Sequence, residues 1–127
     1  MNDERTGPRD IRERTFAFSV RVVKLCRMLD ASPGVSRTLA NQLLRSGTSI
    51  GANVEEAHGS QSKPDFIAKM SIATKEARET HYWLRLLPAA EVVPEARLSE
   101  IRDESNQLIA ILTAIVKRSR ENGKETT

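Results

Sequence analysis

Residues 46–56 read Ser-Gly-Thr-Ser-Ile-Gly-Ala-Asn-Val-Glu-Glu, and their reading decides the fold. Ser46, Gly47, Ser49, Gly51 and Ala52 are all small. Yet Leu39, Leu43, Gly47, Ile50, Val54 and Ala57 recur at steps of four and three, the spacing of one helical face. A glycine inside a helix costs roughly 1 kcal/mol relative to alanine. Two of them call for a compensating gain, and close approach of a neighbouring helix supplies one. The stretch therefore predicts a helix with a small-residue ridge, followed by a polar patch of Asn53, Glu55 and Glu56. Ser36 reads as its N-cap, and Gly59, directly after His58, as its stop.

Three further segments carry the same period. From about Asp10 to Asp30, Phe18, Val22, Leu25 and Leu29 mark one face, with Phe16, Val20 and Val23 widening it on a flank. Ser32-Pro33-Gly34 ends that segment. Ser62, followed by Pro64 and Asp65, has the form of a capping box with proline in the first turn. Phe66, Met70, Ala73, Ala77, Thr80, Leu84 and Leu87 then form a heptad seam, which Pro88 closes. Pro94 opens the last segment, with stripe residues Leu98, Ile101, Ser105, Leu108, Leu112 and Ile115. Glu91 and Glu95 stand near its positive end, and Lys117, Arg118 and Arg120 near its negative end. Residues 1–8 and 121–127 read as frayed tails. No strand signal competes. The expectation is all-α: an antiparallel up-down-up-down four-helix bundle, one domain over residues 1–127.

Composition narrows the function. Aromatic residues make up only 4% of the chain, which suits a helical core better than a sandwich. The lone Cys26 excludes an intramolecular disulfide framework and fits a reducing cytoplasm. The N-terminus lacks the apolar centre of a signal peptide, and no apolar run approaches the ~18 residues of a membrane span. The net charge is +3. Residues 9–31 carry six basic and three acidic groups, residues 63–88 five and three, and residues 89–127 six and seven. The positive charge thus belongs to the first and third helices. It reads either as an attraction for nucleic acid or as an ordinary solvated surface.

Glu55-Glu56-Ala57-His58 contains the Glu-x-x-His spacing that places a carboxylate and an imidazole on one helical face for a metal. The other histidine, His81, has Arg78 three residues before it, so the second half of a di-metal site is missing. There is no phosphate-cradling glycine loop and no supported nucleophile set. No catalytic residue, metal or cofactor is expected. Asn53, Glu56, Glu79 and Glu104 lie beside their helices' apolar stripes and read as a structural polar network, answered by Arg21, Lys24 or Arg78. Tyr82 and Trp83 fall beside the third seam, where they read as a cover for the core, a subunit interface or a platform for base stacking. Arg5, Arg9, Arg12 and Arg14 form a basic cluster able to meet phosphates, interrupted by Asp10 and Glu13.

The run Leu43-Leu44-Arg45-Ser46-Gly47-Thr48-Ser49-Ile50-Gly51-Ala52-Asn53-Val54-Glu55-Glu56 resembles the four-helix bundle proteins associated with 23S rRNA intervening sequences. The resemblance continues through Ser62-Lys63-Pro64-Asp65-Phe66-Ile67, Lys75-Glu76-Ala77-Arg78-Glu79-Thr80 and Tyr82-Trp83-Leu84-Arg85-Leu86-Leu87, and ends at Glu104 and Leu108. It implies an antiparallel four-helix bundle assembled as a ring-like homo-oligomer, with a pentamer expected. The family is also similar to accessory proteins of diversity-generating retroelements, bundle pentamers whose basic surface engages nucleic acid and a reverse transcriptase. Together these readings lead to a non-enzymatic, cytoplasmic homo-oligomer that binds RNA or DNA through basic surface. The alternative is a protein-binding scaffold that makes no nucleic-acid contact.

Overall fold

A computed structural model describes residues 8–125, with side chains described for residues 11–122. Four helices follow one another: α1 (Pro8–Asp30), α2 (Val35–His58), α3 (Lys63–Ala89) and α4 (Glu95–Glu125). No strand occurs among the described residues. Cross-helix contacts fix their directions. Cys26 Sγ meets Ala40 O near one end of α1 and α2, while Arg12 meets Glu55 near the other. Lys69 reaches Glu56 and Thr80 reaches Ser46, so α3 runs against α2. His81 contacts Ser105 and Arg120 contacts Ser71, so α4 runs against α3. Arg14 reaches Glu104 and Arg21 reaches Glu100, closing an antiparallel bundle. The α1–α4 seam is the thinnest of the four.

The four stripes meet in one core. Val22, Leu43, Ile50, Val54, Met70, Ala77, Leu84, Leu98, Leu108 and Leu112 are all fully buried. The small-residue ridge of α2 lies against α1. A Cβ added at Gly47 would stand 2.8 Å from Val22 Cγ1, and one at Gly51 would stand 3.2 Å from the Thr15 carbonyl oxygen. Only glycine lets the backbones approach this closely, which offsets the poor helix propensity. A buried hydroxyl pair, Thr80 Oγ1 donating to Ser46 Oγ at 2.9 Å, does the corresponding work against α3.

Several local expectations change. α2 begins at Val35 behind Gly34, whose φ of 95° makes the turn. Ser36 does not cap it. Its hydroxyl instead donates at 2.8 Å to Leu29 O at the end of α1, a carbonyl that also accepts from Ser32 N–H at 3.2 Å. Ser62 does cap α3, accepting from Asp65 N at 3.2 Å. Pro88 lies inside the last turn of α3, which ends at Ala89, and Ala90 N–H closes on Leu86 O at 2.9 Å. Pro has no N–H to donate and its ring crowds the preceding turn, and the helix ends one residue later. α4 continues past Glu121 to Glu125. Phe16, Val20 and Val23 do not widen the core stripe, since they are 68%, 38% and 38% exposed.

Candidate nucleic-acid interface

The N-terminal basic cluster does not form one site. Arg5 lies outside the described residues, as does the side chain of Arg9. Arg12 is committed to Glu55 at 2.9 Å, which holds the Glu55 carboxyl below its usual range. Arg14 makes a two-pronged contact with Glu104, at 2.8 and 3.0 Å, and adds Gln107 at 3.0 Å. Such paired, charge-assisted bonds are strong, and they leave Arg14 serving the α1–α4 seam.

The proposed polar network is likewise divided among local partners. Asn53 Nδ2 donates to Ser49 O at 2.8 Å within α2, Glu56 pairs with Lys69 at 2.9 Å, and Glu104 takes Arg14. Glu79 accepts from Arg45 and from Trp83 Nε1. The answering cations are thus Lys69, Arg45 and Arg14 rather than Arg21, Lys24 or Arg78. Trp83 is half-buried against the core, while Tyr82 stays 52% exposed and meets the indole edge-on at 5.1 Å.

The Glu-x-x-His segment has structural uses. Glu55 holds Arg12, and His58 Nδ1 lies 2.9 Å from Val54 O, so that nitrogen carries the proton. Its ring stands edge-on to Phe66, and Nε2 is buried without a partner among the described residues. No group of three or more His, Cys, Asp or Glu side chains is placed to hold a metal among the described residues.

Several cations without carboxylate partners line the outer groove between α3 and α4. One cleft of about 470 Å³ is lined by Ser71, Thr74, Arg78, Thr113, Val116, Lys117, Arg120 and Glu121. A second, of about 480 Å³, follows along α3 and is lined by His81, Tyr82, Arg85, Leu86, Ala89 and Arg102. Arg78, Arg85 and Lys117 form no ion pair among the described residues, and Arg120 reaches only the Ser71 hydroxyl, at 3.5 Å. Arg102 is held by Glu95. Glu121 is the acidic group lining the first cleft. Arg78 and Arg85 are two turns apart on one face, or roughly 10 Å at 1.5 Å per residue.

His81 registers the local field. Its pKa falls below the ordinary histidine value, first through burial and then through the charges of Arg85 and Arg102. Ser105 Oγ donates to Arg102 O at 2.7 Å, so His81 Nδ1, 2.8 Å from Ser105 Oγ, donates to that hydroxyl. The imidazole is thereby fixed at the edge of the second cleft. Hydroxyls, a fixed imidazole and guanidinium groups in an open groove suit an extended row of phosphates. The sequence signal for this site was the seven-residue spacing of Arg78 and Arg85 on α3. Lys117 and Arg120 read only as complements to the α4 dipole.

No helix among the described residues is long and apolar enough to cross a membrane. A family pattern described as 23S rRNA-intervening sequence protein matches residues 9–114. Among solved structures, the chain is similar to a protein of unknown function from the S23 ribosomal protein family of Bacteroides thetaiotaomicron. Identity is 39% and the TM-score 0.80, over 87% of this chain and 97% of that one. No curated protein matches the chain.

Proposed function

The chain belongs to the 23S rRNA-intervening sequence protein family, and from that premise we propose that it is a non-enzymatic bundle binding nucleic-acid phosphates, RNA first, along the α3–α4 groove. One observation carries the reading. Arg12 and Lys69, which line clefts beside α2, are neutralised by carboxylates, whereas Arg78, Arg85 and Lys117 in the groove are not; Lys24 and Arg27 on α1 are also unpaired among the described residues but stand outside the groove. Charges left unspent in a concave, hydroxyl-lined groove are available to an external polyanion. Contacts from these cations to phosphates position a nucleic acid without carrying sequence information, so affinity depends on salt more than on sequence. Self-association multiplies such weak contacts wherever geometry lets one strand span several grooves.

The test is fluorescence anisotropy with short labelled RNA, single-stranded and duplex, across a salt series. Four groove cations, Arg78, Arg85, Lys117 and Arg120, give an expected log–log slope of about −3, at roughly 0.7–0.9 per phosphate neutralised. Absence of binding at low salt, or affinity that ignores salt, contradicts the proposal.

A further inference from the structure

Along the groove side of α3, Arg78, His81 and Arg85 follow one another at steps of three and four, the spacing of a single helical face. Arg78 lines the first cleft, and His81 and Arg85 line the second. The order is therefore cation, imidazole, cation over roughly 10 Å of helix. The imidazole is not a third cation. Burial and the charges of Arg85 on α3 and Arg102 on α4 lower its pKa, and Arg102 is itself paired with Glu95. The ring is also oriented. Nδ1 donates to Ser105 Oγ at 2.8 Å, and that hydroxyl is committed in turn to Arg102 O at 2.7 Å. A neutral imidazole with its proton on Nδ1 carries a lone pair on Nε2. His81 Nε2 has no hydrogen-bond partner among the described residues, and the nitrogen buried without a partner belongs to the other histidine, His58. His81 Nε2 is thus an open acceptor on the cleft wall, set between two guanidinium groups.

We infer that His81 Nε2 accepts a hydrogen bond from a ribose 2′-hydroxyl, so that the groove takes RNA in preference to DNA of the same sequence. The inference rests on the phosphate-binding reading of this groove and adds a sugar contact to it. A nucleic-acid strand alternates phosphate and sugar, and the α3 face alternates guanidinium and imidazole to match. Phosphate oxygens accept hydrogen bonds, so a lone-pair nitrogen offers them nothing, and a third cation would serve them better. The group that fits this nitrogen is a donor lying between successive phosphates. Ribose supplies one in its 2′-hydroxyl, and deoxyribose supplies none. Ser105 is a positioning residue for this contact. By taking the Nδ1 proton it fixes the tautomer in which Nε2 accepts. The contact reads the sugar and not the base, so it separates RNA from DNA without adding a sequence preference.

The experiment is fluorescence anisotropy of the full chain with one labelled single strand made as RNA, as DNA and as 2′-fluoro RNA. The last keeps a ribose-like sugar pucker but lacks the hydroxyl donor. The wild type should bind RNA about three- to tenfold more tightly than either other strand, the worth of one neutral hydrogen bond. His81→Phe should bind all three alike and keep their salt dependence. Ser105→Ala should narrow the RNA preference without weakening DNA binding, helical content being followed in parallel. Nitrogen NMR shifts of the His81 ring at neutral pH should show Nε2 unprotonated. Equal binding of RNA and 2′-fluoro RNA by the wild type, or a preference that survives His81→Phe, overturns the sugar contact while leaving salt-dependent phosphate binding in place. Binding of none of the three strands at low salt overturns the phosphate reading, and the sugar contact with it.

Discussion

Substituting Gly47 by alanine tests what sets the spacing of α1 and α2. In an open helix the change would stabilise the protein by about 1 kcal/mol through helix propensity. Here the new Cβ would stand 2.8 and 2.9 Å from the two γ-carbons of Val22, a fully buried side chain. Those distances are well inside van der Waals contact, and a β-branched side chain has one preferred rotamer in a helix, so Val22 has little freedom to yield. Overpacking of this kind costs about 1–3 kcal/mol. The net expectation is a loss of about 1 kcal/mol, or roughly 3–5 °C in Tm for a chain of this length. The decisive version is a double-mutant cycle. Val22→Ala alone leaves a cavity and costs about 2 kcal/mol. In that background the clashing γ-carbons are gone, so Gly47→Ala should now stabilise by about 1 kcal/mol. The sign of one substitution reverses with the identity of one partner, giving a coupling near 2 kcal/mol by urea unfolding. Two other glycines calibrate the result. Gly59→Ala meets nothing closer than 3.7 Å and should be nearly neutral. Gly34→Ala has open space but a φ of +95°, and should cost about 1 kcal/mol from backbone strain alone. If Gly47→Ala stabilises the wild type as much as it stabilises Val22→Ala, steric contact does not explain the small-residue ridge.

Three further outcomes follow from named contacts. Glu104→Ala breaks a part-buried, two-pronged pair with Arg14 and should lower stability by about 1–2 kcal/mol in urea titrations; Glu55→Ala, at an exposed pair, should do less. His81 is held neutral below its ordinary value of 6.5, so the unfolded chain takes up that proton first. Its contribution is present above pH 6.5 and lost as pH falls through the depressed folded value. NMR titration of the ring should therefore give a midpoint under 6.5, and His81→Gln should flatten the fall in stability on that acidic limb. The Cys26 thiol is buried and pushed up to about 11, chiefly by desolvation, so at pH 8 it should resist disulfide reagents until the bundle is unfolded.

The fold was legible because its signals are local and repeated. The stripes of α2 and α3 needed only the period of a helix, and the Ser62 cap needed only three residues of spacing. The candidate site was less legible, for a physical reason. Whether a cation is free depends on a carboxylate that chain proximity does not reveal: Arg14 finds Glu104 ninety residues away, and Arg45 finds Glu76 and Glu79 on the next helix. A count of charges by segment cannot see that pairing. The N-terminal run of arginines drew attention to Arg12 and Arg14, which are neutralised, while the charge count placed positive charge on α3 without singling out Arg78 or Arg85. The outward stripe of α1 was visible in principle. Phe16 and Val20 each lie two residues from the buried Phe18, and two residues is more than half a turn.

RNA binding by two paired variants, measured side by side by anisotropy at low salt, tests the central claim most directly. Arg78→Ala with Lys117→Ala removes two groove cations without touching a buried contact. It should lose at least tenfold in affinity and flatten the log–log salt slope by about 1.5. Arg12→Ala with Glu55→Ala removes a neutral pair and should bind like the wild type. Equal losses in both, or a loss only in the second, would show that the α3–α4 groove is not where the phosphates lie.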